Sequence, residues 1–228
     1  PERETCNVVA MLRGRDPELA DQALVIGAHL DHVGRQSPDV YFPGANDNAS
    51  GAAAVLRLAE AFTRVGVAPR RSVVFVLFAG EESGLVGARY HAENPVFAAE
   101  HTVGMFNLDC VAHGDSIRVG GGGSNRAHWR LARELDAAGA RLMVTSTWQG
   151  GGADATPFFA AGIPTLYWVT TSSYTHLHVP SDTPDTLDAT LYTELVRLAF
   201  RTAWAVADAS AAESPADTTA TGDLARSS

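Results

Sequence analysis

The chain has 228 residues, enough for one large α/β domain with a well-buried core. Its formal net charge of −9, with all 17 basic residues arginine and no basic patch, argues against a nucleic-acid partner. No apolar run reaches the length of a membrane span, and two cysteines, Cys6 and Cys110, are too few for a disulfide scaffold or a four-thiolate zinc site. Both cysteines fall in or at the end of apolar runs, so buried free thiols are expected. The chain starts at Pro1 rather than Met, as a processed or excised piece would, and shows no signal peptide.

Residues 6–12 (CNVVAML) read as a first strand, followed by a turn through Gly14, Asp16 and Pro17. Residues 23–28 (ALVIGA) read as a buried strand that runs into His29-Leu30-Asp31-His32. His29 and Asp31 are two apart, so in extended chain both point to one side. A ligand histidine needs a carboxylate or carbonyl nearby to orient it, which this spacing supplies. A polar turn after a strand would have the same composition. The loop over 34–48 ends in GANDNASG, and a helix follows from about Gly51 to Val65, with Asn48 or Ser50 as its N-cap. Asp47 is an acid in an otherwise uncharged, glycine-flanked loop, as close approach to an ion requires, although it would also suit a helix dipole.

Residues 72–88 (SVVFVLFAGEESGLVGA) begin as a strand without alternation, expected to be buried on both faces. The strand ends in two adjacent acids, Glu81 and Glu82. Their repulsion calls for an offsetting charge: a metal held by one, with the other left as a base. Acids in a first helical turn are the competing reading. A short helix over 84–91, a break at Pro95 and a second short helix come next, and then a strand over 103–108 ending at Asp109. A short strand over 116–119 leads into Gly120–Gly123, read as a flexible loop because it lacks the spacing of a dinucleotide fingerprint. An amphipathic helix over 125–138 and a strand over 141–145 precede a second glycine-rich loop that ends at Asp154. Asp154 is placed to cap a short helix over 156–161. A strand over 165–169, a polar loop over 170–185 holding His176, His178 and Asp182, and a helix over 187–207 complete the pattern. Residues 209–228 are Ala, Ser, Thr, Asp and Glu with little else, expected of a disordered tail or linker. The expected fold is a single α/β domain over 1–208, with a central mixed, mostly parallel sheet flanked by helices.

His29-x-Asp31, Asp47, Glu81-Glu82, Asp109 and His178 each lie at the end of a buried strand or in the loop after one. In a parallel-rich sheet those ends share one edge. Histidines and carboxylates without thiolates fit a water-bearing catalytic zinc site rather than a structural one.

AHLDHVG, GANDNASG, FAGEESGLVGA, NLD, GADATPFFAAGIPTLYW and HVPSDTPD occur in that order. Together they resemble the co-catalytic zinc aminopeptidases of the M28 peptidase family, bacterial leucyl aminopeptidases among them, from Asn7 to the last helix. The resemblance implies a zinc peptidase catalytic domain with a three-layer sandwich fold, acting on peptides with a free N-terminus. It implies two zinc ions bridged by Asp47, one held by His29 and Asp109, the other by Glu82 and His178. Asp31 would support His29, and Glu81 would serve as general base and then acid. Two zinc ions, three ligand carboxylates and one hydroxide sum to zero charge, which suits a fairly dry cleft. His178 is chosen over His176 because His-Val-Pro-Ser-Asp-Thr matches the family's pattern. His32, His91, His101, His113 and His128 are then expected at the surface, and Asp182 is expected to order the His178 loop through local hydrogen bonds.

One departure from the pattern concerns the oxyanion. Some such aminopeptidases carry a Tyr four residues before the Asp that corresponds to Asp154, and here that position is Gly150. Tyr174 or zinc alone would have to serve instead, which makes Asp154 and Tyr174 candidate substrate-side residues. A glutaminyl cyclase or a dizinc carboxypeptidase of the same fold are the enzymatic alternatives; the latter typically needs an Arg-rich pocket, which the sequence does not place. A peptidase-like binding module without catalysis is the other, but the five ligand positions and Glu81 are all present. The family further implies a secreted or periplasmic location. Neither the preferred N-terminal residue nor the oligomeric state is encoded in these motifs.

Overall fold

The apolar runs that lack alternation form the middle of one sheet. The computed structural model describes residues 4–211. Its strands are β1 (Val8–Leu12), β2 (Ala23–His29), β3 (Arg35–Ser37), β4 (Val40–Tyr41), β5 (Ser72–Phe78), β6 (Thr102–Leu108), β7 (Ile117–Gly120) and β8 (Thr165–Thr170). Six of them make a sheet in the order β1-β5-β2-β6-β8-β7. The four inner strands β5, β2, β6 and β8 are parallel, and β1 and β7 close the edges antiparallel. Inner strands are covered on both faces, so both side-chain sets must be apolar.

The period of two sorts those runs onto two cores. Leu24, Ile26, Val73, Phe75, Phe106 and Trp168 join one cluster, while Val25, Val74, Val76, Phe78 and Met105 join the other. Five helices cover the faces: α1 (Gly51–Arg64), α2 (Val86–Glu93), α3 (Arg126–Ala137), α4 (Ala155–Ala160) and α5 (Ala189–Asp208). The first core takes Val55, Leu58 and Phe62 of α1, Ala132 of α3 and Leu191, Leu195 and Leu198 of α5. The second takes Ala88 of α2 and Ala155 and Phe158 of α4. Phe62 is 1% exposed and meets Phe75 and Phe200 edge-on, at centroid distances of 5.8 and 5.2 Å. Burying one such side chain contributes about 1.5–3 kcal/mol. The result is the expected α/β domain with a mixed, mostly parallel sheet between helical layers.

Several local expectations are corrected. Residues 141–145 form no strand; Met143 makes only an isolated bridge to Ile117. The backbone N–H groups of Leu142 and Met143 donate instead to the carboxylate of Asp136, at 2.9 and 3.0 Å. The loop over 34–48 contains the small β3–β4 hairpin. Gly120–Gly123 is a packed turn rather than a loose loop: a Cβ at Gly120 would lie 1.9 Å from the Trp148 ring. Cys6 is exposed and Cys110 is buried, and both are free. From residue 212 on, the expected tail lies outside the described residues. Among the described residues, no helix is long and apolar enough to cross a membrane.

His91 and His128 are buried, not at the surface. The His91 ring packs among Phe78 and Phe158, at centroid distances of 6.0 and 5.8 Å. His128 stands edge-on to Phe106, and its Nδ1 lies 3.0 Å from Asn125 Nδ2. Burial, assisted by the Arg71 charge, lowers His128 to about 4. An unfolded histidine binds its proton near 6.5, so below that pH the unfolded chain holds more protons than the folded one. The stability is therefore complete above 6.5 and is lost as pH falls toward 4. In thermal unfolding at pH 7 and pH 4.5, the parent should lose more midpoint than a His128→Gln variant does. An equal loss in both would contradict the buried neutral imidazole.

Candidate metal centre

The carboxyl ends of the parallel strands deliver the polar residues to one edge. His29 closes β2, Glu81 and Glu82 follow β5, and Asp109 follows β6. Parallel register sets Gly27 against both Val76 and Asn107, so these strand ends stand side by side. Asp47 comes from an irregular turn, Ala45–Ser50, between β4 and α1. His178 comes from the loop after β8. Gly51 lets the start of α1 press on the end of β6: a Cβ there would lie 2.3 Å from the Leu108 carbonyl oxygen.

Donor atoms fall into two groups that share Asp47: His29, Asp47 and Asp109, and His32, Asp47, Glu82 and His178. Asp47 uses a different oxygen for each. Its Oδ1 is 3.3 Å from His29 Nε2, and its Oδ2 is 3.2 Å from His178 Nε2. Asp109 Oδ1 is 3.4 Å from His29 Nε2, and Glu82 Oε2 is 3.1 Å from His178 Nε2. A tetrahedral zinc with bonds of about 2.0–2.1 Å holds its donor atoms roughly 3.3 Å apart. The observed separations match that spacing. Asp109 Oδ1 is buried without a hydrogen-bond partner among the described residues, and Glu82 Oε1 meets His32 Nδ1 at 2.9 Å without hydrogen-bond geometry. Buried carboxylate oxygens left in this way fit a bound cation.

His32 is the residue that sequence reasoning missed. Expected at the surface, it is instead half-buried in the second group, with Nδ1 2.9 Å from Glu82 Oε1 and its ring edge-on to His178 at 5.6 Å. Its position three residues after His29, in the same turn off β2, was the available signal. His176 lies in neither group; its Nδ1 is 2.9 Å from Ser181 Oγ and its ring packs on His113.

A second set of side chains holds the donor-bearing backbone. His29 Nδ1 is oriented by the backbone carbonyl of Asp31, at 3.0 Å. The Asp31 carboxylate instead accepts the backbone N–H groups of Glu81 and Glu82, at 3.0 and 3.2 Å. Asn48 Oδ1 accepts from Gly51 N and Cys110 N, at 2.9 and 3.3 Å, and its Nδ2 donates to the Leu108 carbonyl. Asn46 accepts from Ala112 N and donates to the Ser173 carbonyl. These asparagines stitch the Asp47 turn to the segment carrying Asp109. Asp182, expected to act locally, reaches across the chain: its two oxygens accept from Asn46 N and Asp47 N, at 2.8 and 3.0 Å.

The electrostatics favour a cation. Burial alone would lower His29, yet Asp109 and Asp47 hold its imidazole up at about 12. Burial pushes the Glu81 carboxyl up to about 7; His29 opposes this, and Asp109, Glu82 and Asp47 add to it. Asp154 precedes α4 but its side chain caps nothing. It is fully buried, and neither carboxylate oxygen has a hydrogen-bond partner among the described residues. Burial raises it well above the usual carboxylate range, against His29 and with the help of Asp109, Glu81 and Asp31. Tyr174 is 53% exposed, and its hydroxyl lies 3.1 Å from that of Tyr167. Replacing Asp182 by Ala strands two buried backbone N–H groups, at a cost of about 3 kcal/mol. Denaturant unfolding of the metal-free protein should show that loss, and Asp182→Asn, which keeps one acceptor, should lose less.

The chain is 27% identical over 204 residues to a probable leucine aminopeptidase of Arthroderma otae, covering 86% of the chain and 57% of that protein. It is 40% identical over 111 residues to a probable zinc metalloprotease of Pyrenophora teres f. teres, covering 46% of the chain and 22% of that protein. The aminopeptidase of Aneurinibacillus sp. strain AM-1 superposes with a TM-score of 0.72 at 27% identity, over 88% of this chain and 47% of that one. A glutaminyl cyclase of Porphyromonas gingivalis shares the fold, with a TM-score of 0.69 at 20% identity, over 86% and 75% of the two chains. The chain thus spans about half the length of the aminopeptidases it matches. The pattern of peptidase family M28 runs over residues 7–203, from just before β1 into α5 and through every donor described above, and the chain belongs to that family.

Proposed function

We propose that this chain is the catalytic part of a zinc-dependent aminopeptidase that hydrolyses the N-terminal peptide bond. The observation that carries the reading is Asp47, whose two oxygens face two separate donor groups. In this reading His29, Asp47 and Asp109 hold one zinc ion, and Asp47, Glu82 and His178 hold the second, with His32 beside Glu82. Zinc at these positions would supply a Lewis acid for the scissile carbonyl and a water of lowered pKa.

Glu81 and Glu82 divide the work. Glu82 belongs to a donor group and Glu81 to neither. Asp31 fixes the backbone of both through the adjacent N–H groups. Glu81 is thereby held beside the donors with its carboxylate uncommitted. An uncommitted carboxylate beside the donors is suited to accepting a proton from the attacking water and returning it to the leaving amine. Of the two substrate-side candidates, Tyr174 is exposed and its hydroxyl meets that of Tyr167, whereas Asp154 is fully buried.

The deciding assay is a panel of amino-acid p-nitroanilides, with zinc and after its removal by chelation. Zinc-dependent release of p-nitroaniline is expected. A pyroglutamyl product from a Gln-peptide would instead identify a cyclase, and zinc binding without any turnover would identify a binding module. Glu81→Gln should keep its zinc and lose activity by about two orders of magnitude or more. Asp47→Ala should weaken both ions together, measured by metal analysis after dialysis; two zinc ions retained tightly would refute the shared bridge.

A further inference from the structure

The two oxygens of Asp109 are treated differently by the fold. Oδ1 faces His29 Nε2 at 3.4 Å and has no hydrogen-bond partner among the described residues. Oδ2 accepts a hydrogen bond of 2.6 Å from the Tyr167 hydroxyl. Tyr167 lies on β8, paired with Asn107 of β6 on one side and Gly120 of β7 on the other. Asp109 N donates to the carbonyl of Trp168, at 3.0 Å, so backbone register sets the phenol against the carboxylate. The Tyr167 ring is 3% exposed and packs against Trp148, with centroids 5.6 Å apart. Its hydroxyl is 3.1 Å from that of Tyr174, which stands half-exposed on the loop that leads to His178.

A carboxylate can bind a metal through one oxygen or through both. A short hydrogen bond from a wedged phenol takes up a lone pair of one oxygen and competes with the metal for it, while the other oxygen stays free. We infer that Tyr167 is a positioning residue that restricts Asp109 to one-oxygen metal ligation, with Tyr174 ordering the Tyr167 hydroxyl. The inference rests on Asp109 being a metal ligand. One-oxygen ligation keeps the ligand count at the first ion low, which leaves a position open there for water or substrate. The Tyr174–Tyr167–Asp109 chain also links the loop carrying His178 to the opposite donor group.

The test titrates the metal-free parent, Tyr167→Phe, Tyr174→Phe and Asp109→Asn with Co²⁺, and with Zn²⁺ against a chromophoric chelator. Tyr167→Phe should bind one ion about 10- to 100-fold more weakly, as loss of a ligand's hydrogen-bond partner does. Its visible Co²⁺ absorption should fall in intensity as Asp109 turns both oxygens to the metal and coordination number rises. Tyr174→Phe should shift the spectrum in the same direction by less, and Asp109→Asn should lose one ion. An unchanged spectrum and affinity in Tyr167→Phe, with one ion lost in Asp109→Asn, overturns the positioning role alone. Both ions retained in Asp109→Asn, or none bound by the parent, overturns the ligand reading and the inference with it. If Tyr167→Phe does not fold, an unchanged spectrum in Tyr174→Phe overturns the inference.

Discussion

Carboxylates crowd the end of this sheet closer than their charges allow. Asp47, Asp109, Glu81, Glu82 and Asp154 share one half-buried recess, with His29, His32 and His178 among them. Like charges at such distances cannot all stay ionised in a low-dielectric site unless something positive joins them. Carboxylate neighbours hold a proton on His29, and burial pushes Glu81 and Asp154 toward their neutral forms. Divalent cations would answer the same demand more completely. Much of the surrounding architecture serves to keep these repelling groups in place.

That restraint is mostly backbone. None of the donor-bearing segments is held by donor contacts alone. Asp31 grips the backbone of Glu81 and Glu82, Asn48 and Asn46 grip the segment around Asp109, and Asp182 grips the turn of Asp47. Each uses a side-chain polar group on buried main-chain partners, where a lost bond leaves an unsatisfied N–H. Charge repulsion within the recess is therefore resisted by groups that do not themselves meet the donors. The division between Glu81 and Glu82 has the same origin: one carboxylate on Asp31 fixes both backbones, and the side chains diverge.

The sequence made the scaffold legible where apolar pattern decides structure. The runs at 23–28, 72–78 and 103–108 lack alternation because both faces are buried, and they became the inner strands. Patterning failed where a single polar group captured the backbone, as Asp136 did at 142–143. His32 and Asp182 were misjudged for a related reason. His32 meets Glu82 across two strand ends, and only its nearness to His29 hinted at it. The role of Asp182 comes from a partner 135 residues away, Asp47, of which local spacing carries no record. The same holds for Tyr167, which looks like one more aromatic residue in a buried strand until register sets it against Asp109. His91 and His128 show the converse: imidazoles without a donor role can fill apolar cores when burial keeps them neutral.

The clasp of Asp182 on Asn46 and Asp47 also has a consequence for the order in which the protein is made. The turn carrying Asp47 leaves the ribosome long before Asp182 and His178 do. Until they arrive, two backbone N–H groups of that turn lack their acceptor and the second donor group lacks a member. Contacts this distant in sequence form late, after the intervening chain has collapsed. A nascent chain or a fragment cut before residue 178 thus has no complete recess in which to trap a stray metal ion. In the reading proposed above, metal would be taken up by the finished sheet rather than seed it.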